Sequence, residues 1–166
     1  MEGVRSPRVR LINLSSVCSR CRFFNGGGDS LWLPGSGSRH FDNADKLVKM
    51  NGREVFKFAT RVLVSSAEKV LDECGCTVDD VDVYVPHQAN RRIIDHAARK
   101  LGIPEEKVVV NVDRYGNTSS GSIPLALADA ATDGRLREGE LVLMTGMGAG
   151  LTWGSALMEW TNGRAA

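Results

Sequence analysis

Val81-Asp82-Val83-Tyr84-Val85-Pro86-His87-Gln88-Ala89-Asn90-Arg91-Arg92-Ile93-Ile94 (residues 81–94) changes its period halfway along. Val81, Val83 and Val85 alternate with Asp82 and Tyr84 at the spacing of a strand, and Pro86, which has no N–H to give to a ladder, stops it. From Ala89 the apolar positions Ile93, Ile94, Ala97, Ala98 and Leu101 recur at three and four residues as far as Gly102, the spacing of a helix. A strand that feeds a helix through a short polar turn is the building unit of an α/β layer.

Working outward, the same unit recurs. Upstream, Asn51 and Gly52 precede Val55, Phe56, Ala59, Val62, Leu63, Ala67, Val70 and Leu71, an amphipathic helix ending near Gly75. Downstream, the β-branched run 108–112 predicts a second strand. The small-residue stretch 118–131 predicts a helix with Pro124 early enough to be tolerated. Leu141–Thr145 and Leu151–Trp160 predict two strands joined by a glycine turn, while 25–40 is Gly-, Ser- and Pro-rich loop with at most a brief strand at 31–33. The predicted order is helix, strand, helix, strand, helix, strand, strand. It implies an α/β layered sandwich whose mixed, mostly parallel sheet is flanked by helices, with the last pair antiparallel.

Composition bounds the partners. The chain has 166 residues, 42% hydrophobic and 25% charged, enough for one core. A net charge of +1 offers no bulk attraction for nucleic acid, and no run approaches the roughly 20 apolar residues of a membrane span. The average conceals an asymmetry: residues 1–24 hold five Arg (Arg5, Arg8, Arg10, Arg20, Arg22) against Glu2. We therefore read 1–24 as a separate or disordered segment, transit-peptide-like in composition, and 25–166 as the domain. Arg outnumbers Lys fifteen to six, which favours a GC-rich bacterial gene and a cytoplasmic protein over a plastid one. Cys18 and Cys21 form C-x-x-C and Cys74 and Cys76 form C-x-C, but the pairs lie over fifty residues apart without zinc-ribbon spacing, so no metal is expected.

Ligands of such sheets bind beyond the carboxyl ends of the strands, so the polar residues just after each strand carry the chemistry. These are Pro86–Asn90, 113–121 (Asp-Arg-Tyr-Gly-Asn-Thr-Ser-Ser-Gly) and 145–150 (Thr-Gly-Met-Gly-Ala-Gly). The first offers the imidazole of His87, the second the carboxamide of Asn117, and the third backbone N–H groups that a ligand can approach closely. An imidazole and an amide are uncharged donors, suited to an oxygen that becomes negative during reaction. Taken singly, His87 is equally a satisfied structural histidine and Asn117 a turn residue. The glycine turn leads into a strand rather than a helix, and no G-K-[ST] is present, so neither nucleotide-binding fingerprint fits.

Val85–Ile94 (V-P-H-Q-A-N-R-R-I-I), 114–127 (R-Y-G-N-T-S-S-G-S-I-P-L-A-L) and 146–157 (G-M-G-A-G-L-T-W-G-S-A-L), with M-N-G-R-E-V-F-K-F-A at 50–59, closely resemble the C-terminal half of β-ketoacyl-acyl-carrier-protein synthase III. That family belongs to the thiolase-like condensing enzymes, so the resemblance implies a thiolase-like layered half. It further implies initiation of fatty-acid synthesis: an acyl group from acyl-CoA is loaded onto a cysteine and condensed with malonyl carrier protein, with loss of carbon dioxide. By motif position His87 and Asn117 would be catalytic, and the Ala149 N–H would serve the oxyanion hole. Gln88, Ala89, Asn90, Arg91 and Arg92 would contact the carrier protein, and Gly52, Arg53 and Phe56 with Ala89 and Asn90 would wall the pantetheine tunnel. Acyl-CoA would be a substrate, no separate cofactor is implied, and full-length members are homodimers.

The resemblance also marks a departure. The family is about twice as long, and none of the four cysteines stands in its nucleophile context, yet an acyl-enzyme needs a thiolate. The expectation is a chain inactive alone: a truncated or mis-started reading of a longer gene, or a natural half-protein that pairs with a separate N-terminal half. A non-catalytic carrier-protein-binding or assembly subunit, and another thiolase-like acyltransferase, are the alternatives.

Overall fold

The computed structural model describes residues 30–32 and 48–161. The leader 1–24, Cys18, Cys21 and His40 lie outside them. A two-residue strand β1 (Leu31–Trp32) pairs antiparallel with β2 (Lys49–Met50). Helix α1 (Gly52–Glu73) follows at once, with the Asn51 side chain accepting from the Glu54 N–H at 3.3 Å as its N-cap. Then come β3 (Val83–Pro86), α2 (Arg91–Leu101), a four-residue α3 (Val112–Tyr115), α4 (Ser122–Thr132), β4 (Leu141–Gly148) and β5 (Thr152–Glu159).

The main sheet has the order β3-β4-β5, parallel between β3 and β4 and antiparallel between β4 and β5. Both of its faces are covered. Tyr84, Leu143 and Leu157 pack under α1 and α2 with Ala67, Leu71 and Ile94, whereas Val83, Val85, Val142 and Met158 meet Ala126 and Ala130 of α4. Alternation along β3 therefore divides two buried sides and does not separate core from water: all four residues of the strand are buried. Each fully buried side chain of this kind contributes about 1.5–3 kcal/mol. Across the α1–β5 contact, Ser66 and Ser155 hydroxyls meet at 2.7 Å, and in the sheet Tyr84 and Thr145 hydroxyls meet at 2.7 Å.

Three expectations change. Pro86 does not stop the strand before it but closes it, in register with Thr145, since a terminal residue can forgo its N–H. The glycine turn contracts, because Gly146 and Gly148 belong to β4 and only 149–151 turn the chain. The expected strand 108–112 reduces to one parallel bridge, Tyr84 to Val108. The reason is local competition for its backbone: the Val109 N–H goes to the Tyr84 carbonyl at 2.9 Å, but Arg135 takes the Val108 carbonyl, and the N–H groups of Asn111 and Val112 go to the Gln88 side chain. Val112 then starts α3.

Candidate active site

His87 stands directly at the exit of β3. Its N–H donates to the Thr145 carbonyl at 2.7 Å and its carbonyl accepts from the Ala89 N–H at 2.9 Å, so the backbone is fixed on both sides. The imidazole is half-buried, and desolvation pushes its pKa below the ordinary 6.5, which keeps it neutral at pH 7. No described residue hydrogen bonds to the ring, so the reading as a satisfied structural histidine finds no partner here.

Asn117 follows α3 and Gly116, whose φ of 67° and ψ of −162° suit glycine almost alone. Its Oδ1 accepts from the Ser119 N–H at 3.0 Å, closing an Asx turn in which Ser119 adopts φ 52°. That bond engages the amide oxygen locally and leaves the NH2 of this exposed residue as the donor. Ala149 is exposed at the tip between β4 and β5, where Gly150 and Leu151 both have positive φ and Thr152 Oγ1 donates to the Ala149 carbonyl at 3.3 Å.

Of the residues assigned to the pantetheine wall, Phe56 and Ala89 meet in one apolar cluster. Phe56 of α1, Ala89 before α2 and Met147 of β4 pack around Ala59, Leu63, Ile93 and Ala97. Gly52 and Arg53 are exposed at the start of α1. Met147 escaped the sequence reading; it also packs against Phe58, Val62, Leu151 and Trp153, so it joins the glycine tip to α1. A hydrophobic residue between two glycines was the available signal.

The five residues from Gln88 to Arg92 separate into different jobs. Asn90 is exposed but its Oδ1 is occupied by the Arg92 N–H at 2.9 Å, as N-cap of α2. Arg91 is held by Asp95 at 2.7 Å and Glu105 at 2.8 Å, so its charge is locally balanced. The Arg92 guanidinium lies 5.8 Å from the centre of the Phe56 ring, at the edge of the apolar cluster, and makes no ion pair with a described residue. Gln88 needs correction: its side chain is wholly buried and hydrogen-bonded four times, so it has no surface to offer a carrier protein. Cys74 and Cys76 are half-buried thiols beyond α1, at the opposite end of that helix from Phe56.

A mixed sheet covered on both faces by helices, with an imidazole at the exit of β3, an amide after α3 and a glycine tip between β4 and β5, has the layered α/β arrangement of a thiolase-like half. The family model described as 3-oxoacyl-acyl-carrier-protein (ACP) synthase III C terminal matches residues 71–160, and the chain belongs to that family. It is 50% identical over 141 residues to β-ketoacyl-acyl-carrier-protein synthase III of Desulfitobacterium hafniense, covering 81% of this chain and 43% of the relative. It is 58% identical over 113 residues to the Rhizobium meliloti protein of the same name, covering 68% of this chain and 35% of that one. Among solved structures, the Thermus thermophilus synthase III superposes with a TM-score of 0.82 at 42% identity, over 94% of this chain and 49% of that one. A priming β-ketosynthase from the R1128 polyketide pathway gives 0.78 at 34% identity, over 88% and 45%. The chain thus spans less than half the length of these relatives.

Proposed function

We propose that this chain is the C-terminal catalytic half of a β-ketoacyl-acyl-carrier-protein synthase III, acting in the decarboxylative Claisen condensation that starts fatty-acid synthesis from acyl-CoA and malonyl carrier protein. The observation that carries the reading is a pair of uncharged donors: a desolvated neutral imidazole without a described hydrogen-bond partner, and a carboxamide whose oxygen is already tied down. When the malonyl carboxylate leaves as carbon dioxide, its bonding electrons pass into the thioester and the carbonyl oxygen becomes an enolate oxygen. A ring N–H of His87 and the NH2 of Asn117 stabilise that oxygen by hydrogen bonds. The enolate carbon then attacks the acyl thioester carried by a cysteine, forming the new carbon–carbon bond and releasing the thiolate. The Ala149 N–H serves the oxyanion of that second step.

The thiolate comes from outside the described residues, whose two cysteines, Cys74 and Cys76, lie at the C-terminal end of α1. Acyl-CoA is a substrate, and the chemistry calls for no resident cofactor. Arg92 faces the acidic carrier protein, the role for which its unpaired charge beside the tunnel cluster suits it. The reading places the reaction in the cytoplasm; no described helix is long and apolar enough to cross a membrane.

The test is reconstitution. The chain is mixed with a cysteine-bearing N-terminal half of a relative, and malonyl-dependent ketoacyl product is measured. His87→Ala and Asn117→Ala should each lower kcat about 10²–10³-fold, the cost of losing one oxyanion donor. Undiminished turnover in either variant refutes its role, and carrier binding with no condensation under any pairing would favour the assembly-subunit alternative.

A further inference from the structure

We propose that Gln88 is a positioning residue that sets His87 and Asn117 relative to each other, its amide clamping the two loops together; the inference rests on the reading that these two groups share one oxygen. Gln88 is 0% exposed, and its amide uses both donors and both acceptor sites. The Nε2 group donates to the Pro86 carbonyl at 2.8 Å and the Val109 carbonyl at 3.1 Å, while Oε1 accepts from the Asn111 N–H at 2.9 Å and the Val112 N–H at 3.2 Å. One end thus grips the residue immediately before His87. The other caps the first turn of α3 from outside, a duty that the α3 N-cap residue Asn111 does not perform with its own side chain.

From that cap the connection to Asn117 is short and continuous. Val112 is held at its N–H by Gln88 and at its carbonyl by the Gly116 N–H, 2.9 Å away, and Asn117 is the next residue. The outer side of α3 is tied as well. The Asn111 Nδ2 group donates to Asp129 Oδ2 at 2.8 Å, and the same carboxylate accepts from the Tyr115 hydroxyl at 3.2 Å and from Arg114 at 3.4 Å. Asp129 on α4 and Gln88 beside His87 therefore hold α3 between them. The geometry demands an amide at position 88, because a carboxylate would put oxygen against the Pro86 and Val109 carbonyls, and an aliphatic side chain would take the partner from four backbone groups, three of them on buried residues.

The experiment compares Gln88→Glu and Asp129→Asn with the parent 166-residue chain. Two readouts are used: ¹⁵N NMR of the His87 ring and the Asn117 side-chain amide in the chain itself, and kcat and KM for malonyl carrier protein after reconstitution with a cysteine-bearing half. The expected result is that Gln88→Glu moves both the His87 and Asn117 signals while the Ile94 and Ala97 amides stay in place. Its kcat should fall at least about tenfold with KM within about twofold, as a small misplacement of catalytic groups does. Asp129→Asn, which stays outside the buried amide, should move the Asn117 signal with a smaller loss of kcat. It decides the matter if Gln88→Glu does not fold. Unmoved signals in the folded variants, or a loss confined to KM, overturn the inference. If His87→Ala and Asn117→Ala leave condensation intact, the functional reading has failed instead, whatever Gln88 does.

Discussion

At the scale of single residues, the electrostatics of His87 make a directional prediction. Desolvation lowers its folded pKa below the 6.5 of an ordinary histidine, so the unfolded chain takes up this proton first as the pH falls. The associated stability is fully present above about pH 6.5 and is lost as the pH drops from there through the folded pKa. Two measurements check this. The His87 ring, followed by NMR, should titrate below 6.5, and denaturant midpoints between pH 7.5 and 5 should fall less steeply in His87→Ala than in the parent chain. A ring that titrates at or above 6.5 contradicts the buried, neutral donor. The sequence places His87 at the exit of β3, where the structure also has it, whereas Asn117, expected after a second strand, follows the short helix α3. Gln88 was not legible: between His87 and Ala89 in a polar turn it has the pattern of an exposed residue, and only the fold shows that four backbone groups from two loops converge on it.

At the scale of elements, the helices were legible because their apolar spacing survives in three dimensions. α2 buries every position that periodicity selects, α1 buries all of them but the half-buried Phe56 and adds Phe58, and both helices are capped by the Asn that precedes them. Asn90→Ala should cost about 1 kcal/mol in a urea titration, with Asn51→Ala costing less because its capping bond is longer, 3.3 Å against 2.9 Å. The β-branched run at 108–112 misled because strand propensity speaks only of side chains, whereas its backbone groups are claimed by Arg135 and Gln88. The turn after α3 holds the corresponding prediction. A Cβ on Gly116 would meet nothing within 4 Å, so the effect of Gly116→Ala is purely conformational. We expect a loss of about 1–3 kcal/mol in thermal or urea unfolding, together with displacement of the Asn117 amide signal. An unchanged midpoint would mean that the turn relaxes without cost.

At the scale of the whole molecule, the two faces of the sheet are unequally covered. α1 and α2 lie across one face, while on the other the described structure supplies chiefly the eleven-residue α4. Apolar side chains remain at the surface at several points: Val48 is 65% exposed, Met50 61%, Tyr115 42% and Leu125 38%. Single exposed apolar residues are ordinary, but here they accompany a chain that spans 43% of a relative sharing half its residues over the matched region. For the 166-residue chain taken by itself, these apolar points are places where a second body can pack. We expect the 166-residue chain by itself to self-associate in sedimentation velocity at micromolar concentration and to melt broadly. Addition of a cysteine-bearing half should replace the self-associated species with a complex of defined stoichiometry, and its melting should sharpen and rise, because a partner that binds only the folded form stabilises it by mass action. A monodisperse monomer with a cooperative transition would show instead that α1, α2 and α4 satisfy the sheet on their own, making this half an autonomous domain that docks as a finished body.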